Sequence, residues 1–119
     1  VVTGFWLARH GQSAANLAGQ CSGQWDVPLT ALGRQQASLL AERLAHEPVR
    51  SIVSSPLQRA CETAAIVAQR LGLSVELEPD FAEIQFGAMQ GRFRDARDPE
   101  AAAWWEAWRH SDGRTPAPG

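Results

Sequence analysis

The sequence predicts an α/β fold built on a largely parallel sheet. Three observations predict it. Short apolar runs alternate with helical patterns in the order strand, helix, strand, helix, strand. The runs are short and apolar, as strands covered on both faces are. The residues with chemistry to offer follow those runs, and α/β sheets gather ligands at the carboxyl ends of their strands.

The first run, residues 4–9, is Gly-Phe-Trp-Leu-Ala-Arg and reads as a buried strand. Residues 11–28 turn to Gly, Gln, Ser and Asn, a loop with room for one short helix. Thr30 can cap a helix that runs to about His46, with Ala37, Leu40, Ala41 and Leu44 on one face. Residues 50–54 carry Ile52 and Val53 and read as a second buried strand. Ser55-Pro56-Leu57-Gln58 is a helix start, with Ser55 as N-cap, Pro56 in the first helical position and Gln58 closing a capping box. That helix sets Leu57, Ala60, Cys61, Ala64, Val67, Ala68 and Leu71 on one side and stops at Gly72. Residues 75–77 read as a third strand and residues 81–91 as irregular. Asp98-Pro99 opens a last helix bearing Trp104, Trp105 and Trp108, a cluster read as packing. Residues 111–119 read as a flexible tail.

Composition narrows the chemistry. The 119 residues suit a single domain, residues 1–119. A net charge of -2 gives no strong pull towards nucleic acid or an anionic membrane. No apolar run is long enough to span a bilayer, no signal peptide is visible, and a cytoplasmic location is expected. The chain begins at Val1 rather than Met, which leaves an upstream start open. All 11 basic residues are arginine. This excludes Schiff-base lysines and a P-loop lysine but leaves the chain equipped for phosphate, which the planar guanidinium binds through two hydrogen bonds. The two cysteines make neither a disulfide framework nor a zinc site. A cysteine phosphatase needs Cys and Arg six positions apart, and six residues beyond Cys21 and Cys61 stand Val27 and Val67. The three histidines, His10, His46 and His110, show no metal-ligand spacing, so no metal and no organic cofactor are expected. His46, at a helix end, and His110 read as surface or structural residues.

Arg9-His10-Gly11 follows the first run directly. A neutral imidazole is a competent nucleophile towards phosphorus and is available near neutral pH. Arg9 can hold phosphate oxygens, and Gly11 lets the backbone come close to a ligand. Arg59, in the first turn of the second long helix, and Glu83, beyond the third strand, lie at the same end of the predicted sheet.

Four blocks carry a family resemblance. They are Leu7-Ala8-Arg9-His10-Gly11-Gln12-Ser13-Ala14-Ala15-Asn16, the stretch from Ser22 to Ala37, Ser54-Ser55-Pro56-Leu57-Gln58-Arg59-Ala60-Cys61-Glu62-Thr63-Ala64, and the stretch from Glu83 to Gly91. In this order and spacing they resemble the histidine phosphatases of the phosphoglycerate-mutase-like superfamily, on the alpha-ribazole-phosphatase-like side. The resemblance implies a three-layer sandwich, a mostly parallel central sheet flanked by helices. It also implies phosphomonoester hydrolysis on a small phosphorylated metabolite. His10 would be the phosphorylated nucleophile, Arg9 and Arg59 the phosphate clamp, Asn16 a phosphate ligand, Glu83 the general acid and then base, and Gly23 part of the pocket wall. A phosphoglycerate mutase and a non-catalytic, phosphate-binding remnant are the alternatives. The fourth block carries Gln90 where relatives usually carry Glu, a position read as structural. Relatives also have a second essential histidine, followed by glycine, on a later strand, and nothing after His10 matches it. The domain is therefore expected to lack its C-terminal part and to be weak or inactive alone. Oligomeric state is not legible.

Overall fold

The structure is a computed structural model, and it describes residues 4–116. Its framework is a parallel β–α–β unit. Strand β1 (Ile52–Ser54) leads through helix α3 (Gln58–Leu71) to strand β2 (Val75–Leu77). The two strands pair in parallel with Ile52 opposite Val75, Val53 opposite Glu76 and Ser54 opposite Leu77. Before this unit come α1 (Ala14–Ala18) and α2 (Ala31–Leu44), and after it two 3-10 turns and α4 (Pro99–His110). The fold is α/β, a small parallel sheet with helices against it.

Two apolar clusters hold the elements. Ala41 and Leu44 of α2 meet Val67 of α3, with Leu40, Val49, Ile52 and Leu71 packed around them. This is the helix face that periodicity predicts. The second cluster joins Cys21, Phe86, Met89, Ala101 and Trp105, with Trp104 and Trp108 against it. The tryptophans of α4 are packing residues: Phe86 lies 5.0 Å from Trp105 and 5.5 Å from Trp108, ring to ring.

Caps set the helix boundaries. Thr30 accepts from the Gly33 N–H and starts α2, and Asp98 accepts from the Ala101 N–H and starts α4. Gly72 ends α3 in the left-handed conformation, as expected.

Three expectations are corrected. Residues 4–9 form no strand, and Phe5 and Leu7 are 82% and 96% exposed. A strand exists only through its ladder partners, and among the described residues only β1 and β2 are paired beyond single bridges. The sheet is accordingly two-stranded among the described residues. Helix α3 begins at Gln58, not Pro56, and Ser55 is not its N-cap. The Ser55 hydroxyl instead accepts from the Leu57 N–H, and the free Gln58 N–H donates to Asp26 Oδ1 at 2.6 Å, a cap from a distant loop. Residues 111–116, read as a tail, turn back on α4. Trp104 Nε1 donates to the Pro116 carbonyl, and the Thr115 N–H donates to the Ser111 hydroxyl. The rest of that tail, 117–119, lies outside the described residues, as does 1–3. Among the described residues no helix is long and apolar enough to cross a membrane.

Candidate active site

His10 leaves the uncovered N-terminal run and meets a tightly strapped loop. Its Nδ1 lies 2.6 Å from the Gly11 carbonyl oxygen. A carbonyl oxygen only accepts, so Nδ1 is the donor. In the neutral ring the lone pair is then on Nε2. The ring is half-buried, and this burial lowers its pKa from the ordinary 6.5. The bond to Gly11 opposes the shift, the positive charges of Arg59 and Arg9 add to it, and the Glu83 carboxylate opposes it. The same four groups singled out in the sequence thus bear on one another electrostatically.

Arg59 is almost wholly buried, 2% exposed, in the first turn of α3. Its Nη2 donates to the Gly23 carbonyl at 2.6 Å and its Nη1 to the Trp25 carbonyl at 3.1 Å. The guanidinium braces the 23–25 loop. Burial lowers its pKa, and the charges of Glu83 and Asp26 oppose that. Gly23 sits at φ 51°, in the left-handed region, with Gln90, Phe86 and the Ile84 carbonyl where a side chain would have to go. Only glycine fits there.

Glu83 lies on the facing segment, exposed to solvent. Its Oε1 accepts from the Ile84 N–H at 2.8 Å, and its backbone carbonyl accepts from Gln24 Nε2 at 2.9 Å. Gln90 Oε1 accepts from the N–H groups of Gln24 and Phe86. The amide therefore ties this segment to the 23–25 loop, the structural part read for it.

Two residues singled out in the sequence are engaged by the protein itself. Asn16 Oδ1 accepts from the Ser13 N–H and hydroxyl, closing a capping box on α1, so its oxygen is committed to the backbone. Gly11 is tight against protein rather than open to a ligand: a side chain there would collide with the Gly33 backbone, and one at Gly33 with Gln12. Arg9 is exposed, and a cleft of about 330 Å³ lies beside it, lined by Leu7, His10, Gln36 and Leu40 among others. Arg9 and His10 line that cleft, and Arg59 and Glu83 do not. His46 is exposed beyond α2, and His110 pairs with Glu106 at 2.8 Å.

The sequence reading assigned nothing to Thr63 and Gln36. The buried Thr63 hydroxyl accepts from the Gly11 N–H at 3.1 Å and donates to the Arg59 carbonyl at 2.8 Å. Its place one helical turn after Arg59 is the signal that puts it on the same face. Gln36 Oε1 accepts from the Gln12 N–H at 2.8 Å, and no local spacing reports that contact.

Residues 5–119 match the family described as the histidine phosphatase superfamily (branch 1), and the chain belongs to it. A probable phosphoglycerate mutase of Yersinia pestis is 37% identical over 99 residues, covering 83% of this chain and 46% of that one. The mycobacterial glucosyl-3-phosphoglycerate phosphatase is similar in structure, with a TM-score of 0.78 and 36% identity over 90% of this chain and 50% of that one. The alpha-ribazole phosphatase of Shigella flexneri gives 0.76 and 31% over 91% and 54%. The chain therefore spans about half the length of the relatives it matches.

Proposed function

We propose that this member of the histidine phosphatase superfamily takes a phosphoryl group from a small phosphomonoester onto His10 Nε2 and passes it to water. The observation that carries the reading is the bond from His10 Nδ1 to the Gly11 carbonyl, which leaves the Nε2 lone pair free. The lowered pKa keeps that lone pair unprotonated at neutral pH. Arg9 and the free N–H groups of Arg59 supply positive charge to the phosphoryl oxygens, where such sites gain most of their rate.

The chemistry then balances in two steps. Nε2 attacks phosphorus, the bond from phosphorus to the leaving oxygen breaks, and the protonated Glu83 carboxyl gives its proton to that oxygen. Water next attacks the phosphohistidine while the Glu83 carboxylate takes its proton. The phosphorus–nitrogen bond breaks, its electron pair returns to Nε2, and inorganic phosphate leaves. Glu83 Oε1 is held by Ile84, which leaves Oε2 for this proton traffic. Gly23 shapes the wall, and the Asn16 amide nitrogen is the part of that side chain left to reach phosphate.

Neither His46 nor His110 supplies a second imidazole, since both are exposed and His110 is paired with Glu106. Transfer by these residues alone is therefore slow. Incubation with phosphoramidate should leave acid-labile phosphate on the wild-type chain and none on His10→Ala. Turnover of p-nitrophenyl phosphate should fall about 10²-fold or more below a full-length relative, as when one transition-state donor is lost. Label persisting in His10→Ala would refute the assignment of the nucleophile, and full turnover would refute the impairment. One observation favours a second reading, a phosphate-binding remnant: two N–H groups of Arg59 are already spent on carbonyls. Phosphate binding without any label would select it.

A further inference from the structure

We propose that Gln36 is a positioning residue for His10, acting through the peptide group between Gly11 and Gln12. One amide unit carries both contacts. Its N–H, from Gln12, donates to Gln36 Oε1 at 2.8 Å. Its C=O, from Gly11, accepts from His10 Nδ1 at 2.6 Å. Hydrogen bonds in such a chain polarise one another, so an acceptor on the N–H side makes the carbonyl oxygen a stronger acceptor. The stronger bond to Nδ1 holds the ring in the tautomer with a free Nε2 and enriches that nitrogen in electron density.

The unit is also pinned in orientation. The Gln12 carbonyl, one atom group further on, accepts from the Thr30 N–H at 2.9 Å. The preceding peptide is held by Thr63, whose hydroxyl accepts from the Gly11 N–H. The close contact of Gly11 with Gly33 lets α2 lie near enough for Gln36 to reach Gln12. Gln36 itself is exposed and uncharged, and the charged groups bearing on His10 are Arg59, Arg9 and Glu83. Its effect is thus separable from theirs and from core packing.

This inference rests on His10 as the phosphate acceptor, and its test has a readout independent of that. The ring nitrogens of His10 are followed by 15N NMR, with His46 and His110 as internal references, in wild type, Gln36→Met, Gln36→Glu and Gln35→Glu. Wild type and Gln35→Glu should show the Nδ1–H tautomer. Gln36→Met should move the population towards Nε2–H and slow phosphoramidate labelling of His10 about tenfold, the equivalent of roughly one pKa unit of basicity. Gln36→Glu should restore the Nδ1–H tautomer and raise the His10 titration midpoint more than Gln35→Glu does. Wild-type His10 shifts in a folded Gln36→Met would overturn the proposal. Should that variant not fold, equal midpoints in the two glutamate variants would overturn it. Absence of label on wild type would sink the phosphoryl reading alone, leaving the tautomer comparison to decide the role of Gln36.

Discussion

At the scale of the residue, His10 is set by opposing influences that can be moved one at a time. Burial depresses its pKa most, Arg59 and Arg9 depress it further, and the Gly11 carbonyl and Glu83 raise it. Arg9→Gln removes an exposed positive charge and should move the NMR titration midpoint of His10 up towards 6.5. Glu83→Gln should move it down, and opposite outcomes would show that these charges do not face the ring. The sign for stability follows by linkage. The unfolded chain takes up a proton on His10 at a higher pH than the folded chain does. Stability is therefore lost as pH falls through 6.5 towards the folded value and is flat with respect to this group above it. The motifs that single out these residues were legible because each is local in the chain, although among the described residues no strand precedes His10. Their bonds were not: Arg59 reaches 36 positions back to Gly23, and Asn16 spends its oxygen on Ser13.

At the scale of the element, the helices were legible and the strands only in part. A helix carries its own hydrogen bonds and its own caps, so Thr30, Gly72 and Asp98 announce boundaries that the structure keeps. The start of α3 escaped because its cap comes from another loop, through Asp26. The run at 4–9 escaped because a strand borrows its partners from elsewhere in the chain. The Asp26 cap has a measurable weight. Asp26→Ala removes the acceptor for the Gln58 N–H and should cost about 0.5–2 kcal/mol, read as a lower denaturant midpoint with unchanged slope. Asp26→Asn, which keeps an acceptor oxygen, should recover most of it. The same loop holds the two carbonyls that Arg59 grips, so the alanine variant should also broaden the His10 resonances. Stability lost with His10 unperturbed would show that the cap and the site are uncoupled.

At the scale of the whole molecule, the chain is larger than its length requires. Its radius of gyration is 16.1 Å, against about 13–14 Å for a compact domain of this size. The excess agrees with a two-stranded sheet and an uncovered apolar run, in which Phe5, Trp6 and Leu7 are 82%, 48% and 96% exposed. Each large apolar side chain that finds cover gains about 1.5–3 kcal/mol, and extended apolar segments recruit other chains by pairing. Self-association should follow, rising with concentration in sedimentation velocity. A Phe5→Ser/Leu7→Ser double variant should shift the distribution towards monomer. That variant should leave the His10 tautomer as it is, because the bonds that set it run to Gly11, Gln12 and Gln36 and not to the exposed run. If the double variant associates as strongly as wild type, the run at 4–9 is not the adhesive surface. Attention then passes to Leu77, Phe81 and Ile84, exposed along the segment that leads to and beyond Glu83.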